Sequence, residues 1–321
     1  MSSQLALWII FGTLVPIMLV LDLGVFHRKA HTINIKEALI WSAVWITLAL
    51  LFNIGIYFLL GPDKALKFLA SYLVEKSLSV DNLFVFLMIF SYFGVPSAYQ
   101  HKVLFWGILG ALIMRAIFIA TGLVIVERLH WAIYLFGAFL VLTGIRMSYK
   151  KDREFRPEKN PVLRIFRRFM PITDSYEGDR FWVKVGGRLF ATPLLLILLV
   201  IETTDVIFAV DSIPAVLAIT LDPFIVYTSN VFAILGLRAL YFALAGITQR
   251  LRYLRYGLSV ILVFLGLKML FSGIYRMPIS IALGIVAAVL VISAVASIMN
   301  RNKTGSIADG TTRPQEGKGN G

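Results

Sequence analysis

Long apolar stretches run through this sequence and restrict its fold more than any other feature. Lipid offers a backbone no hydrogen-bonding partner, so a segment that crosses a bilayer bonds within its own helix of roughly 20 mostly apolar residues. The chain is 59% hydrophobic and 15% charged, whereas a soluble globular chain carries roughly 25% charged residues. We therefore predict an all-α integral membrane protein and exclude an ordinary cytosolic enzyme. About nine transmembrane helices are expected, at residues 5–26, 37–60, 65–93, 102–126, 129–149, 189–213, 223–247, 256–274 and 278–299.

The basic residues predict the orientation of these helices, because cytoplasmic loops of membrane proteins are enriched in Lys and Arg. With nine helices, 22 of the 31 Lys and Arg residues fall on one side and 4 on the other. The N-terminus is therefore expected outside and the C-terminus in the cytoplasm. The enrichment of cytoplasmic loops in Lys and Arg thus accounts for the formal net charge of +13. The positive charge is the main argument for nucleic-acid binding, which is therefore no longer favoured. Residues 1–299 form one polytopic transmembrane domain, and residues 300–321, which lack periodicity, are expected to be a disordered cytoplasmic tail.

One long cytoplasmic loop, at about residues 150–188, holds 11 of the basic residues. Apolar residues recur at helical spacing from Val162 to Phe169, with arginines between them. This pattern predicts a short basic amphipathic helix on the anionic leaflet, although a solvated loop with chance periodicity also fits it. The apolar run 181–185, which ends before Gly186, is a weak signal for half of a small hairpin.

Five carboxylates lie within two of the predicted helices, where an ionisable residue costs at least about 2.5 kcal/mol to insert. Glu75 and Asp81 lie in the third helix, and Glu202, Asp205 and Asp211 lie in the sixth. Because the cost is high, an acid is expected within the membrane only where it has a role. Such acids usually mark ion pathways or pair with a buried cation. Any one of the five could be a counter-ion, but pairing alone does not account for all of them.

The two acidic segments resemble each other. Ser79–Asn82 matches Ala209–Ser212, and in each segment another acid precedes the aspartate by six residues. The two helices are three apart in chain order, so they cross the membrane in opposite directions. This is the pattern of an inverted repeat, in which the substrate site lies where the halves meet. Pro214 lies just beyond Asp211, where it would break or bend the sixth helix and free carbonyl oxygens.

Hard oxygen ligands of this kind suit Mn²⁺, Mg²⁺ or Ca²⁺. Ser77, Asn82, Thr203 and Ser212 would add supporting hydroxyl and amide groups to the five acids. Soft-metal sites need thiolate or imidazole, but the chain has no cysteine and four histidines, which lie in loops or at helix ends. No prosthetic group is therefore expected. An anionic substrate is disfavoured because the acids would repel it.

Three basic residues within the predicted helices are candidate charge partners of the acids. They are Lys76, Arg115 and Arg238. One or two such pairs would act as structural glue between helices. The arginines are better suited to pairing with the acids than to contacting a cation, which they would repel.

At these residues the sequence resembles a known family. The segments Glu75–Asn82 and Glu202–Pro214 look like the two acidic motifs of the TerC family, named for tellurium resistance, and of its pH-responsive Alx-type members in particular. The resemblance covers residues 5–299. Supporting stretches are Phe26–His31, Phe90–Phe93 and Ser229–Arg238.

The resemblance implies a multi-pass protein of the bacterial inner membrane that is related to LysE-type exporters. It also implies Mn(II) export and manganese homeostasis, with a shared set of metal-binding acids. In matching positions these are Glu75, Asp81, Glu202, Asp205 and Asp211. The tellurium name describes a phenotype, and the residues here do not favour direct tellurite binding.

We therefore expect a secondary transporter for a divalent cation, most of all Mn(II), with protons as the candidate coupling ion and the bilayer as its surroundings. The chain lacks the GxxxxGK[ST] nucleotide-binding loop, so ATP would need another subunit. A membrane scaffold that recruits partners through its basic loop is the alternative. An intramembrane metal-dependent enzyme is a third hypothesis, weakened because the sequence has no HExxH motif. Ion selectivity, transport direction and oligomeric state stay open at this point.

Overall fold

The structure, a computed structural model, describes residues 3–26, 35–149, 161–173, 175–245, 254–275 and 277–299. The predicted tail and the first part of the long loop lie outside these residues. The described chain is helical apart from its connections and one β-hairpin. Its elements are α1 (Ser3–Phe26), α2 (Ile35–Leu60), α3 (Pro62–Tyr92), α4 (Ser97–Arg128), α5 (Ala132–Tyr149), α6 (Pro161–Phe169), β1 (Trp182–Val185), β2 (Arg188–Ala191), α7 (Pro193–Leu217), α8 (Pro223–Ile234), α9 (Leu237–Ala245), α10 (Leu254–Leu270) and α11 (Ile279–Met299).

Six candidate membrane spans are long and apolar enough to cross a bilayer. They are formed by α2, α4, α5, α7, the pair α8–α9, and α11. This confirms the membrane class that the composition predicted. In the described part of the chain, a helix also lies in each of the nine predicted stretches. The charged helix α3 and the shorter described stretches of α1 and α10 are not among the six, so nine crossings and their orientation stay predictions.

Prolines mark where several helices begin. Pro62, Pro193 and Pro223 lie in the first turns of α3, α7 and α8, where the missing N–H would have no helical acceptor. Asp222 precedes α8 and accepts a hydrogen bond from the Phe224 amide at 3.0 Å, so it caps that helix. Because α7 begins at Pro193, its start lies four residues after the predicted start at residue 189.

The seventh predicted span is divided. α8 ends at Ile234 and α9 begins at Leu237, and Gly236 lies between them with a φ of 81°. A Cβ at Gly236 would lie 2.6 Å from the Trp45 ring, so only glycine fits this turn against α2. By contrast, α7 continues through Pro214 to Leu217. The predicted break at Pro214 is therefore wrong, because the proline lies in the last turn of α7 and the helix runs on past it. The alternative, a bend at Pro214, stays a prediction.

α3 lies at the centre of the bundle, in contact with α2, α7, α8, α9, α10 and α11. It packs most closely on α8, while α7 packs most closely on α4. Each acid-bearing helix thus lies against the element that follows the other one. An inverted repeat predicts this reciprocal packing, although the repeat itself stays a prediction.

Glycines allow α5 and α10 to approach closely. A Cβ on Gly266 would lie 2.6 Å from the Gly137 carbonyl, and one on Gly144 would lie 2.8 Å from the Ser259 carbonyl. Small residues at a helix contact are typical of membrane bundles, where packing replaces the hydrophobic effect. The outer surface carries large exposed side chains, among them Phe58 at 78% and Ile292 at 66%. We assign these to the lipid-facing side of the bundle.

The part of the long loop before α7 is ordered and lies against one end of the bundle. β1 and β2 pair antiparallel, and the turn between them contains Gly186 and Gly187 with φ values of 59° and 81°. Two positive φ values are typical of the tight turn that matches strand twist. The Tyr176 hydroxyl donates to the Phe93 carbonyl at 2.7 Å, and Lys102 pairs with Asp179 at 3.1 Å. These contacts put the loop beside the α3–α4 connection. The antiparallel pairing of β1 with β2 confirms the predicted hairpin.

Candidate functional site

A polar stripe runs along one face of α3. Ser71, Glu75, Ser79 and Asn82 follow one another at three- or four-residue intervals, so they share a face of the helix. All four are buried, and none is more than 4% exposed. The Ser71 and Ser79 hydroxyls have no hydrogen-bond partner among the described residues. Buried polar groups are normally satisfied, so this face is unusual for the centre of an apolar bundle.

The stripe meets α4 and α7 at Arg115. The Arg115 side chain, only 1% exposed, lies between the carboxylates of Glu75 on α3 and Asp205 on α7. It donates from Nε to Asp205 Oδ2 at 3.3 Å and from Nη2 to Oδ1 at 3.2 Å. Its Nη1 contacts the Glu75 carboxylate and donates to Ser212 Oγ at 3.2 Å. Two acids from opposite halves of the chain therefore share one guanidinium.

This Arg115 network contains Glu75, Arg115, Asp205 and Ser212, and its charges do not cancel. Two carboxylates face one guanidinium, which leaves a formal negative charge at the centre of the bundle when both acids are ionised. Desolvation makes each charge costly, and removing one partner from such a network leaves an uncompensated buried ion. The planar guanidinium suits this position because it can bond several oxygens at once.

Glu202 lies one helical turn before Asp205 on α7 and is half-buried. Its carboxylate lies beside Gly110 of α4, where an added Cβ would overlap the Glu202 oxygens. Within the described part of the chain, no hydrogen bond or ion pair to this carboxylate is present. Gly110 therefore provides the space for an acid next to the Arg115 network.

Asp81 and Asp211 lie outside the Arg115 network. Each follows the network acid of its own helix by six residues, and each is half-buried. Thr143 of α5 donates to Asp211 Oδ1 at 3.4 Å. The structure thus separates the five predicted acids into two that pair with Arg115, one beside them, and two further along α3 and α7.

Among the other predicted site residues, Lys76 bonds the end of α8, and two hydroxyls bond their own helices. Lys76 donates to the carbonyls of Ala233 and Leu235 at 3.1 and 3.4 Å, which stabilises the C-terminal end of α8 where carbonyls lack helical donors. Arg238 is 1% exposed on α9. Two hydroxyls bond the preceding turn of their own helices, Ser77 to the Leu73 carbonyl and Thr203 to the Leu199 carbonyl.

The five predicted acids do not meet at one point of the described chain, since two of them pair with Arg115, one lies beside these two, and two lie further along α3 and α7. Among the described residues, no group of three or more His, Asp or Glu side chains is arranged to hold a metal ion. The assignment of the five acids as metal ligands therefore stays a prediction. Sequence reasoning missed Ser71, Thr143 and Gly110. Only Ser71 had a sequence signal, its position one turn before Glu75.

Comparisons with known proteins agree with the predicted resemblance. Residues 60–305 match the family described as "Integral membrane protein TerC family", and this range contains the five acids and Arg115. An uncharacterized membrane protein of Myxococcus xanthus is 50% identical over 304 residues, which cover 94% of this chain and 95% of that protein.

Two further relatives cover nearly the whole chain. A protein of Escherichia coli K12 named "Putative membrane-bound redox modulator Alx" is 49% identical over 296 residues, 89% of this chain and 92% of that protein. An uncharacterized membrane protein of Rickettsia bellii is 40% identical over 295 residues, 92% of this chain and 98% of that protein. No solved structure matches the chain significantly.

Proposed function

The chain belongs to the TerC family of integral membrane proteins, and we propose that it is a secondary transporter that exports a divalent metal cation, Mn²⁺ above all, across the bacterial plasma membrane. One observation carries this proposal. Glu75 and Asp205, from two helices of opposite halves, meet at Arg115 inside the bundle. Intramembrane acids that face the interior of a bundle mark ion pathways.

Arg115 is the internal cation of this proposal. While it bonds Glu75 and Asp205, their oxygens are occupied, and a metal ion would be repelled by the guanidinium. When Arg115 turns away, both carboxylates become available to a cation together with Glu202. Carboxylate oxygens are suitable ligands for Mn²⁺. Arginine pairing and cation binding would then alternate during the transport cycle.

Asp81 and Asp211 suit the entry and exit of the ion. They are less buried than the network acids, and they lie six residues further along α3 and α7. Six residues of helix span about 9 Å, so an ion held there is separate from one held at the Arg115 network. Because α3 and α7 are predicted to run in opposite directions, the two aspartates would serve opposite sides of the network. Protons are the proposed counter-ion for this exchange.

The name of the Alx relatives contains the word "redox", and in this chain a redox effect would have to arise without thiol chemistry. The sequence has no cysteine, so the chain has no thiol with which to exchange electrons. A redox effect of this protein would act through the concentration of a redox-active transition metal such as manganese. This explanation is compatible with cation export and needs no prosthetic group.

Transport of labelled Mn²⁺ into inside-out membrane vesicles tests the proposal. Vesicles with the wild-type protein are expected to accumulate Mn²⁺ above empty vesicles, and more so with an imposed proton gradient. Asp81→Asn and Asp211→Asn remove a ligand charge from half-buried positions. We expect each to lower the initial rate by about tenfold or more, the effect of losing roughly 1.4 kcal/mol of ion stabilisation. Competition by Ca²⁺, Mg²⁺ and Fe²⁺ in the same vesicles gives the selectivity.

Glu127→Gln is the matched control, because Glu127 is an exposed acid in the last turn of α4. It is expected to transport as the wild type does. If all vesicles behave like empty ones while the protein is folded, the transport proposal is wrong. Unchanged Mn²⁺ transport in both aspartate variants would instead show that these two acids are not part of the ion pathway. Their role would then be structural, as the scaffold hypothesis expects.

A further inference from the structure

Helix α6 lies beside the bundle through one of its faces. Leu163 is 3% exposed and, with Phe166, packs into a cluster formed by the end of α3 and the beginnings of α4 and α7. Phe90, Val103 and Leu194 represent these three helices in the cluster. α6 therefore lies at the level where the long helices end, which is the level of the bilayer surface for a bundle that crosses it.

Two other faces of α6 are exposed. Val162 and Ile165 are exposed by 38% and 58%, and at about 100° per residue they form the sector next to the face that packs on the bundle. Arg164 and Arg168 are also exposed, and they form the next sector. Around the helix, contact with the protein is thus followed by exposed apolar side chains and then by basic ones.

We propose that α6 binds anionic phospholipid at the edge of the bundle. Val162 and Ile165 contact acyl chains, and Arg164 and Arg168 bond headgroup phosphates above them. A helix in the plane of the interface places its apolar side chains in the acyl boundary and its basic side chains among the headgroups. The third face explains why this helix stays at one place, since Leu163 and Phe166 fix it to the bundle.

An anionic lipid fits these faces better than a soluble partner or a second copy does. The exposed apolar face lies next to the bundle, where acyl chains would contact it, and the basic face follows it, where a negative headgroup would bind. The two exposed faces thus match the two chemical parts of an anionic lipid. The proposal does not depend on cation transport, because α6 lies outside the Arg115 network. It adds to the sequence prediction a face that packs on the bundle and contains Leu163 and Phe166.

Native mass spectrometry of the full-length protein tests the headgroup preference. The protein is titrated with phosphatidylglycerol or with phosphatidylcholine, and retained lipid is counted. We expect Arg164→Gln/Arg168→Gln to bind phosphatidylglycerol roughly tenfold more weakly, because two headgroup attractions are lost, and to bind phosphatidylcholine as before. Lys184→Gln/Arg188→Gln is the matched control, since it removes the same charge from exposed positions on the hairpin.

Single labelling tests the apolar face, because the chain has no native cysteine. A fluorophore on Ile165→Cys, in nanodiscs, is expected to be quenched by brominated acyl chains as strongly as one on Val291→Cys, an exposed position of α11. A fluorophore on Arg164→Cys is expected to be quenched less.

Three results would overturn the proposal. Equal loss of phosphatidylglycerol in the hairpin control would mean that only net charge matters. No preference for phosphatidylglycerol in the wild type would remove the basic face from lipid binding. Disulfide-linked dimers of Ile165→Cys, together with absent quenching, would assign the apolar face to a second copy of the chain.

Discussion

The two acid-bearing helices, α3 and α7, share one pattern and differ in what surrounds it. Their sequences align with an offset of 130 residues, so Glu75 corresponds to Asp205 and Asp81 to Asp211. In both helices the first acid pairs with Arg115, and the second is half-buried further along. The shared feature is therefore a pair of acids in which one pairs with Arg115 and the other is less buried.

The differences lie between and beside the acids. At the positions of Ser71 and Ser79, α7 has the buried residues Ile201 and Ala209. Conversely, Glu202 of α7 corresponds to Tyr72 of α3. At these positions α3 thus contributes two buried serine hydroxyls, and α7 contributes a third acid. The carboxylate pair is therefore the common element, while the two halves line it with different polar groups.

The largest effect is expected from breaking the point where the two helices meet. Arg115→Met leaves Glu75 and Asp205 buried without a cation, and we expect the free energy of unfolding to fall by about 3–5 kcal/mol. Unfolding in detergent micelles measures this loss. The triple variant Glu75→Gln/Arg115→Met/Asp205→Asn removes all the charges and should recover most of the stability, because the desolvation cost disappears with them.

A triple variant as unstable as Arg115→Met would contradict this account, since charge imbalance could not then be the cause. Arg146→Gln, at an exposed position in the last turn of α5, is the control for loss of an arginine. It is expected to change stability by no more than about 0.5 kcal/mol.

A smaller effect is expected from the acid that only α7 has. In Gly110→Ala the new methyl group would overlap the Glu202 carboxylate. The end of this side chain can move, so we expect a loss at the low end of overpacking, about 1 kcal/mol, and slower Mn²⁺ transport. Gly284→Ala in α11 is the matched control, because a Cβ there meets no atom within 4 Å.

A double-mutant cycle attributes this loss to Glu202. Combining Gly110→Ala with Glu202→Ala removes the carboxylate that the methyl group displaces, so the two destabilising effects should not add. Additive losses in the unfolding free energy would show that Gly110 serves some other contact, and that Glu202 is not positioned by it.

The smallest effect is expected at the α3 position that corresponds to Glu202. The Tyr72 hydroxyl is buried and has no hydrogen-bond partner among the described residues, so Tyr72→Phe breaks no bond within them. We expect the free energy of unfolding to stay within about 0.5 kcal/mol of the wild type. Tyr241→Phe is the comparison, since the Tyr241 hydroxyl donates to Gln100 at 2.9 Å and its loss should cost about 1 kcal/mol. Equal losses in the two variants would indicate that Tyr72 bonds a water or an ion.

Much of this fold follows from the sequence. The apolar stretches predicted the membrane class, because lipid leaves helices as the form in which such segments satisfy their own backbone. The charge of the loop and the spacing from Val162 to Phe169 predicted α6. The packing of Leu163 against the ends of α3, α4 and α7 was not predicted, because such contacts have no signal in local periodicity.

The sequence alone determined which acids lie in the apolar helices, how they are spaced and how α3 resembles α7. An ionisable residue in a long apolar stretch is rare, so it can be recognised without the structure. Their grouping was decided by the tertiary structure. Arg115 is one of several basic residues in the predicted helices that were candidate partners, and the packing of α7 against both α4 and α3 brings it to Asp205 and Glu75. Lys76, next to Glu75 in sequence, bonds the end of α8 instead. Neighbours on a helix point in different directions, so the partner of a buried charge depends on which helices surround it.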